Sequence, residues 1–302
     1  MNERLERPLF GNFLRACAMV LLATMFMLVK IAGETGLAAP EVIFWRQSLS
    51  IPTLLLVLLA SGHIRMLRTT RIGSHARRSL LGTLGLLCTV SAAMLLPLAE
   101  ATTLSFTTPI FAVIISALIK RQQVGPWRWS AVALGFAGVL IVTQPGHEPV
   151  SPLGLVAGLS AGCITAAVSF QIRDLSRTEA PVTCAFWFAV FGALATAPLL
   201  PFVATRHDPA QWALLAAISV SGLGAQLLLT AALRQASVAT VVVMDYTMLI
   251  WSTLYGWALW NHLPPLATWL GTPLIIAASL LVTWREYRLA RGITPVSALE
   301  ED

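Results

Sequence analysis

Basic residues in this chain alternate from side to side between hydrophobic runs, and that alternation restricts the fold more than any motif does. Apolar runs of the roughly 20 residues that a membrane-spanning helix needs recur at 13–31, 42–61, 79–98, 101–119, 127–143, 152–172, 182–204, 210–233, 238–259 and 266–284. Seventeen of the twenty lysines and arginines fall on one side of this series. They are Arg4, Arg7 and Arg15, then Arg65, Arg68, Arg71, Arg77 and Arg78, then Lys120, Arg121 and Arg128. The same side continues with Arg173 and Arg177, Arg234, and finally Arg285, Arg288 and Arg291. The other side holds Lys30 and Arg206, and Arg46 lies inside a run. Positive charge in short loops marks the cytoplasm. The expectation is an all-α polytopic membrane protein of ten spans with both termini in the cytoplasm.

Composition excludes the alternatives. A chain that is 57% hydrophobic and 11% charged, with a mean hydropathy of +0.76, has no soluble fold at this length. Its net charge of +6 is spread over six segments facing an anionic leaflet and forms no stripe for nucleic acid. The first run has no clear small-residue cleavage site, and its removal would invert the charge pattern, so it is expected to stay as a span. Trp127, Trp129 and Trp284 fall at inner edges and Trp212, Trp257, Trp260 and Trp269 at outer edges, as an interfacial belt requires.

Enzyme chemistry has no footing. All five histidines fall between the expected spans, without an HExxH pair, and neither GxxxxGK[ST] nor Gly-x-Ser-x-Gly occurs. Cys17, Cys88, Cys163 and Cys184 are dispersed, with no CxxC, and read as small buried hydrophobes. No metal and no cofactor is expected. What remains is movement of a solute along a gradient.

An offset of 140 positions pairs Trp129 with Trp269, Leu134 with Leu274, Ala137 with Ala277, Leu140 with Leu280, Val142 with Val282 and Thr143 with Thr283. The two halves, 1–146 and 147–302, meet at the polar, proline-containing segment around 144–151. Five spans per half is an odd number, so the halves are expected to insert upside down relative to each other. Inverted repeats are an architecture of secondary transporters, which place the substrate near the midplane between them.

The first half carries LPLAEATTLSFTTPIF at 96–111 and WRWSAVALGFAGVLIV at 127–142. The second carries MDYTMLIWSTLYGW at 244–257 and WLGTPLIIAASLLVTW at 269–284. These segments resemble the two EamA-type repeats of the drug/metabolite transporter superfamily, in order and at the right spacing. The subgroup with acidic-Ala-Thr after the third span and Asp-Tyr-Thr (Asp245, Tyr246, Thr247) in the ninth resembles S-adenosylmethionine and riboflavin carriers and exporters of opine metallophores. The family commonly ends its fourth and ninth spans with Gly-Glu, where this chain has Arg121-Gln122 and Asn261-His262. The resemblance implies alternating-access transport of a small polar or zwitterionic metabolite in a bacterial inner membrane, with export preferred. Uptake of S-adenosylmethionine or riboflavin is the alternative. A passive channel and a membrane subunit serving a partner are the readings from other classes. The expected partners are the metabolite, the membrane lipids and, as a coupling ion, protons.

Asp245 is the one acid deep in an expected span, about 10 Å in at 1.5 Å per residue, where a carboxylate facing lipid is costly. It is a candidate for binding a substrate amine or coupling a proton, with a structural bond to a neighbouring hydroxyl as the alternative. Ser252 and Gly256 share its helix face. Two roles stand for Arg46, flanked by Trp45 and Gln47: a bidentate clamp on an anionic group, or snorkelling to the outer headgroups. Glu100 either rims the outer mouth or is solvated. Thr103 belongs to a hydroxyl-rich run beside Pro109, whose missing N–H makes a kink there. Those threonines either bind substrate or satisfy the freed backbone. Gln226 is a lone amide in an apolar stretch, suited to an interhelical hydrogen bond. Pro109, Gly135 and Gly138 are the candidate hinges. Gly154, Gly158 and Gly162 form a small-residue stripe for close packing within the chain.

Overall fold

The computed structural model describes residues 8–118, 126–143, 151–175, 178–235 and 242–292. Among them no strand occurs. The helices are α1 (Pro8–Glu34), α2 (Ala39–Ala60), α3 (Ile72–Leu95), α4 (Leu98–Ser105), α5 (Thr108–Leu118) and α6 (Pro126–Thr143). They continue with α7 (Pro152–Leu175), α8 (Pro181–Thr196), α9 (Pro209–Gln235), α10 (Thr247–Trp260) and α11 (Leu266–Gly292). Helical turns extend α8 to Val203, and a 3₁₀ segment, Val242–Tyr246, leads into α10. Seven of the spans are long and apolar enough to cross a membrane, and shorter apolar helices cover Trp129–Ile141 and Leu266–Ala278. Leucines and tryptophans such as Leu56, Leu140, Trp257 and Trp269 point outward, as lipid-facing side chains do. The chain is a multi-pass membrane protein.

Proline and glycine chemistry sets the boundaries. α1, α6, α7, α8 and α9 all open on proline, whose fixed φ and missing donor suit a first helical position. α10 ends on Asn261 in the left-handed region at φ 49°, with the Asn261 amide bonded to the Trp257 carbonyl and the His262 amide to the Gly256 carbonyl. Asparagine thus performs the capping turn usually given to glycine, which accounts for the departure at 261–262.

Helix-to-helix contacts are reciprocal. α1 packs along α9 and α3 along α7; α3 meets α8 and α2 meets α9; α1 meets α10 and α7 meets α4 and α5. α2 lies against α8, α4 against α10 and α6 against α11. Exchanging α1, α2, α3, α4 with α5, and α6 for α7, α8, α9, α10 and α11 maps each of these pairings onto another or onto itself. Small residues permit the closest crossings. A Cβ at Gly138 would lie 2.7 Å from the Gly271 carbonyl oxygen on α11, and one at Gly158 would lie 2.5 Å from Leu104 Cδ1 on α4. The glycine stripe on α7 therefore packs α4 and α5 inside the chain, as its spacing predicts.

Three expected elements differ. The single span over 101–119 is two helices, broken at Phe106–Thr107 just ahead of Pro109. Pro109 cannot donate to the Ser105 carbonyl, and the Thr108 hydroxyl donates to it instead, at 2.9 Å. In the span expected over 238–259, Val242–Tyr246 is a 3₁₀ turn and the α-helix runs from Thr247 to Trp260, while 238–241 lie outside the described residues. α3 starts seven residues earlier than expected because Ile72 to Arg78 dock against the start of α8, taking His75 and Arg78 out of a loop and into the protein interior.

Candidate functional site

The two interrupted spans meet at their interruptions. Phe106 closes α4 and Tyr246 precedes α10; their rings pack edge to face with centroids 5.1 Å apart. The following threonines cap identically: Thr107 Oγ1 donates to the Leu104 carbonyl at 2.6 Å and Thr247 Oγ1 to the Met244 carbonyl at 2.7 Å. Each of these pairs is separated by the same 140 positions as the tryptophans of α6 and α11.

On one side of this contact lies Asp245. Arg15, the eighth residue of α1, grips it through Nε at 2.5 Å and Nη2 at 2.6 Å. The side chains are 13% and 27% exposed respectively, so the pair is largely shielded from solvent. Asp245 thus stands in a bidentate ion pair with Arg15, a partner that the sequence reading did not weigh beside a substrate amine, a proton or a neighbouring hydroxyl. Charge counting grouped Arg15 with the cytoplasmic arginines because it stands near the end of an apolar run.

On the other side is a cavity of about 240 Å³ where α1 ends, α4 begins and α10 finishes. Its walls include Lys30, Glu34, Ser252, Thr253, Gly256 and Trp260. Lys30 Nζ donates to the Leu96 carbonyl at 2.9 Å and lies 5.6 Å from the Trp260 ring centre, whose indole N–H bonds Glu34. Glu100 is buried behind this wall with Oε2 unpaired, facing Lys30 and Thr268. It is not a solvated rim residue. Ser252 and Gly256 on α10 line the cavity, while Asp245, in the 3₁₀ turn that leads into α10, closes against Arg15.

The remaining candidates divide. Arg46 is 6% exposed and packs under Gly222 of α9, which leaves it no route to headgroups. Its Nη1 bonds Gln47 Oε1 at 3.2 Å, and Gln47 Nε2 reaches the Phe188 carbonyl at 3.4 Å. Among the described residues no carboxylate stands within 4.0 Å of the Arg46 guanidinium. Trp45 instead joins an aromatic cluster with Trp212 and His207, next to the His207–Glu41 contact at 2.9 Å. Thr103 Oγ1 bonds the Ala99 carbonyl at 2.8 Å and Thr272 Oγ1 at 3.1 Å, joining α4 to α11. Gln226 is half-buried on α9 and already engaged. α6 runs unbroken through Gly135 and Gly138, which serve close approach to α5 and α11, so the backbone break of this half sits at Phe106–Thr107. His75 is fully buried, with Nε2 3.7 Å from Glu179. Lys30, Arg15, Arg78 and Phe106 were passed over by sequence reasoning. The 140-residue offset already used for α6 and α11 would have found Phe106.

Interrupted helices that meet at a ring contact, a shielded ion pair and a polar cavity are an arrangement that a membrane transporter can use. The EamA-like transporter family model matches residues 9–144 and 152–284, and the chain belongs to that family, carrying two such repeats. It is 30% identical to the pseudopaline exporter CntI of Pseudomonas aeruginosa over 90% of this chain and 95% of the relative. It is also 30% identical to a riboflavin transporter of Rhizobium johnstonii, covering 91% and 90%. Identity to an S-adenosylmethionine uptake transporter of Rickettsia prowazekii is 25%, covering 95% and 96%. A solved crystal structure shares the fold at a TM-score of 0.60 and 20% identity, over 92% of this chain and 98% of that one.

Proposed function

We propose that the protein is a secondary transporter of ten spans in a bacterial inner membrane, moving a small polar or zwitterionic metabolite by alternating access. Repeats 1–146 and 147–302 insert in opposite senses, with both termini in the cytoplasm; the reciprocal helix contacts and the odd number of spans per half support this. On that orientation the cavity opens outward, and the Arg15–Asp245 pair closes the inner end. Asp245 is then the residue where opening of the inner side, proton binding and solute binding compete.

The observation that carries the reading is the cavity wall. It presents a cation, Lys30, and an anion, Glu34, beside the Trp260 ring and the Ser252 and Thr253 hydroxyls, a combination suited to a small zwitterion. Export is the preferred direction, and the CntI relative is named for an exporter. Uptake is the second reading, and the equal identity to a riboflavin transporter supports it.

The test is counterflow in proteoliposomes, with pseudopaline, riboflavin and S-adenosylmethionine as the panel. Saturable, trans-stimulated exchange of one of them is expected. Ohmic conductance without saturation indicates a channel instead.

A further inference from the structure

We propose that Arg46 and Arg78 are two successive stations for an acidic group, set along α8, and that the transported solute therefore carries a carboxylate. The inference builds on the transporter reading and adds the chemical class of its cargo.

Arg78 is the seventh residue of α3 and is 7% exposed. Its Cζ lies 4.2 Å from the centre of the Phe188 ring on α8. Nε and Nη1 are buried with no hydrogen-bond partner, and among the described residues no carboxylate lies within 4.0 Å. The nearby acid, Glu179, is already bonded by Thr69 at 2.8 Å and faces His75. Arg46 is in the same condition: buried, with Nε unpaired.

The two guanidinium groups are linked through α8. Phe188 stacks on Arg78 with its ring and accepts from Gln47 with its carbonyl, and Gln47 holds Arg46. One turn along, Gly192 leaves the space that Gln47 and Thr83 occupy; a Cβ there would stand 2.6 Å from Gln47 Nε2 and 3.1 Å from Thr83 Oγ1. Thr83 Oγ1 is itself buried and unpaired. The file so formed holds two cations, a hydroxyl and an amide, and among the described residues no carboxylate pairs with either cation.

A guanidinium buried without a counter-ion is destabilising, and an apolar side chain of similar volume packs better. Phe188 supplies a ring face but no acceptor. The missing acceptor is a planar anion that a donor fork can hold in bidentate fashion, which a carboxylate is. Two such forks in series let an acidic group leave one as it reaches the other. An inorganic anion offers the same charge, so the test separates the two sources.

The experiment follows thermal unfolding of the full chain in nanodiscs, titrated with acetate, succinate, glutamate and citrate against chloride at matched ionic strength. A ligand that binds the folded state raises the midpoint with the logarithm of one plus its concentration over its Kd. At least one carboxylate is expected to raise it more than chloride does. Arg46→Gln and Arg78→Gln should each weaken that carboxylate at least tenfold, and Arg78→Lys should recover only part of the loss. Arg78→Met, which removes the unpaired charge, should unfold no earlier than the parent without ligand, yet lose the shift. Should one variant fail to fold, the shift in the remaining variants, compared with that of the parent for each acid against chloride, gives the reading. Equal shifts with chloride, no shift with any of the four acids, or shifts unchanged in Arg78→Gln overturn the proposal. Counterflow is scored separately, so a saturable exchanger that fails these titrations loses the carboxylate stations and not the transporter reading.

Discussion

Phe106 and Tyr246 occupy equivalent positions 140 residues apart and touch ring to ring at 5.1 Å. Each marks the point where its span departs from regular helix, and each is followed by a threonine that bonds back to the carbonyl three residues earlier. The packed aromatic pair joins the two repeats at equivalent positions. Edge-to-face aromatic pairs contribute about 0.5–1.5 kcal/mol beyond their burial. A double-mutant cycle with Phe106→Leu and Tyr246→Leu, scored by denaturant unfolding in detergent, should show a coupling of about 1 kcal/mol. Strict additivity would remove the contact from the account.

Arg15 and Asp245 should behave as one unit. Their partial shielding sets the cost of breaking the pair between the ~1 kcal/mol of exposed pairs and the ~3–5 kcal/mol of buried ones. Asp245→Asn and Arg15→Gln should both insert and fold, and both should lose concentrative transport in vesicles with an imposed proton gradient. The double variant should be no worse than either single one. Normal concentrative transport by Asp245→Asn would make the carboxylate structural. Retention of downhill exchange alone would assign it to proton coupling.

Arg46→Lys keeps the charge and loses the planar fork. Transport should fall at least tenfold in initial rate, with the amount of protein in the membrane unchanged. A near-normal rate would mean that position 46 needs only a cation.

How much of this was legible in the sequence follows from what each signal measures. Hydropathy and charge report transfer of whole segments between water and lipid, so they locate spans, the repeat and the family. They average over the few residues at a break, which is why Phe106–Thr107 and the 3₁₀ turn at Val242–Tyr246 were missed, although Pro109 pointed to the first. Charge counting also groups an arginine near the end of a run with the adjoining loop, and that hid Arg15 and Arg78. Their roles depend on partners distant in sequence: Asp245 lies 230 positions from Arg15, and Phe188 lies on a different helix from Arg78. Asp245 and Arg46 stood out because an ionisable group within an apolar run is costly wherever it points. The threonines near Pro109 were legible as a pair of alternatives, and Thr103, Thr107 and Thr108 each bond a backbone carbonyl.

Glycines predict a contrast in stability. Gly138→Ala drives a Cβ to 2.7 Å from the Gly271 carbonyl oxygen, so it should destabilise by about 1–3 kcal/mol through overpacking of α6 on α11. Gly256→Ala on α10 meets nothing closer than 3.4 Å, so it should be neutral or gain up to ~1 kcal/mol of helix propensity. Thermal unfolding of the two variants side by side checks the contrast.

Orientation is tested with cysteines at two exposed sites. In intact cells, Arg206→Cys should react with an impermeant maleimide and His63→Cys should not. Reversed labelling would overturn the charge argument and the opposed insertion of the halves.

The central claim is that one polar cavity is open outward while Arg15–Asp245 holds the inner end shut, and the most direct measurement is the two-sided accessibility of that cavity. Thr253→Cys, in its wall, should react with an impermeant maleimide in right-side-out vesicles and stay protected in inside-out vesicles. Adding Arg15→Gln should raise labelling from the cytoplasmic side and lower it from outside. Fast labelling from both sides in the parent background, unaffected by Arg15→Gln, would contradict alternating access and indicate a continuous pore.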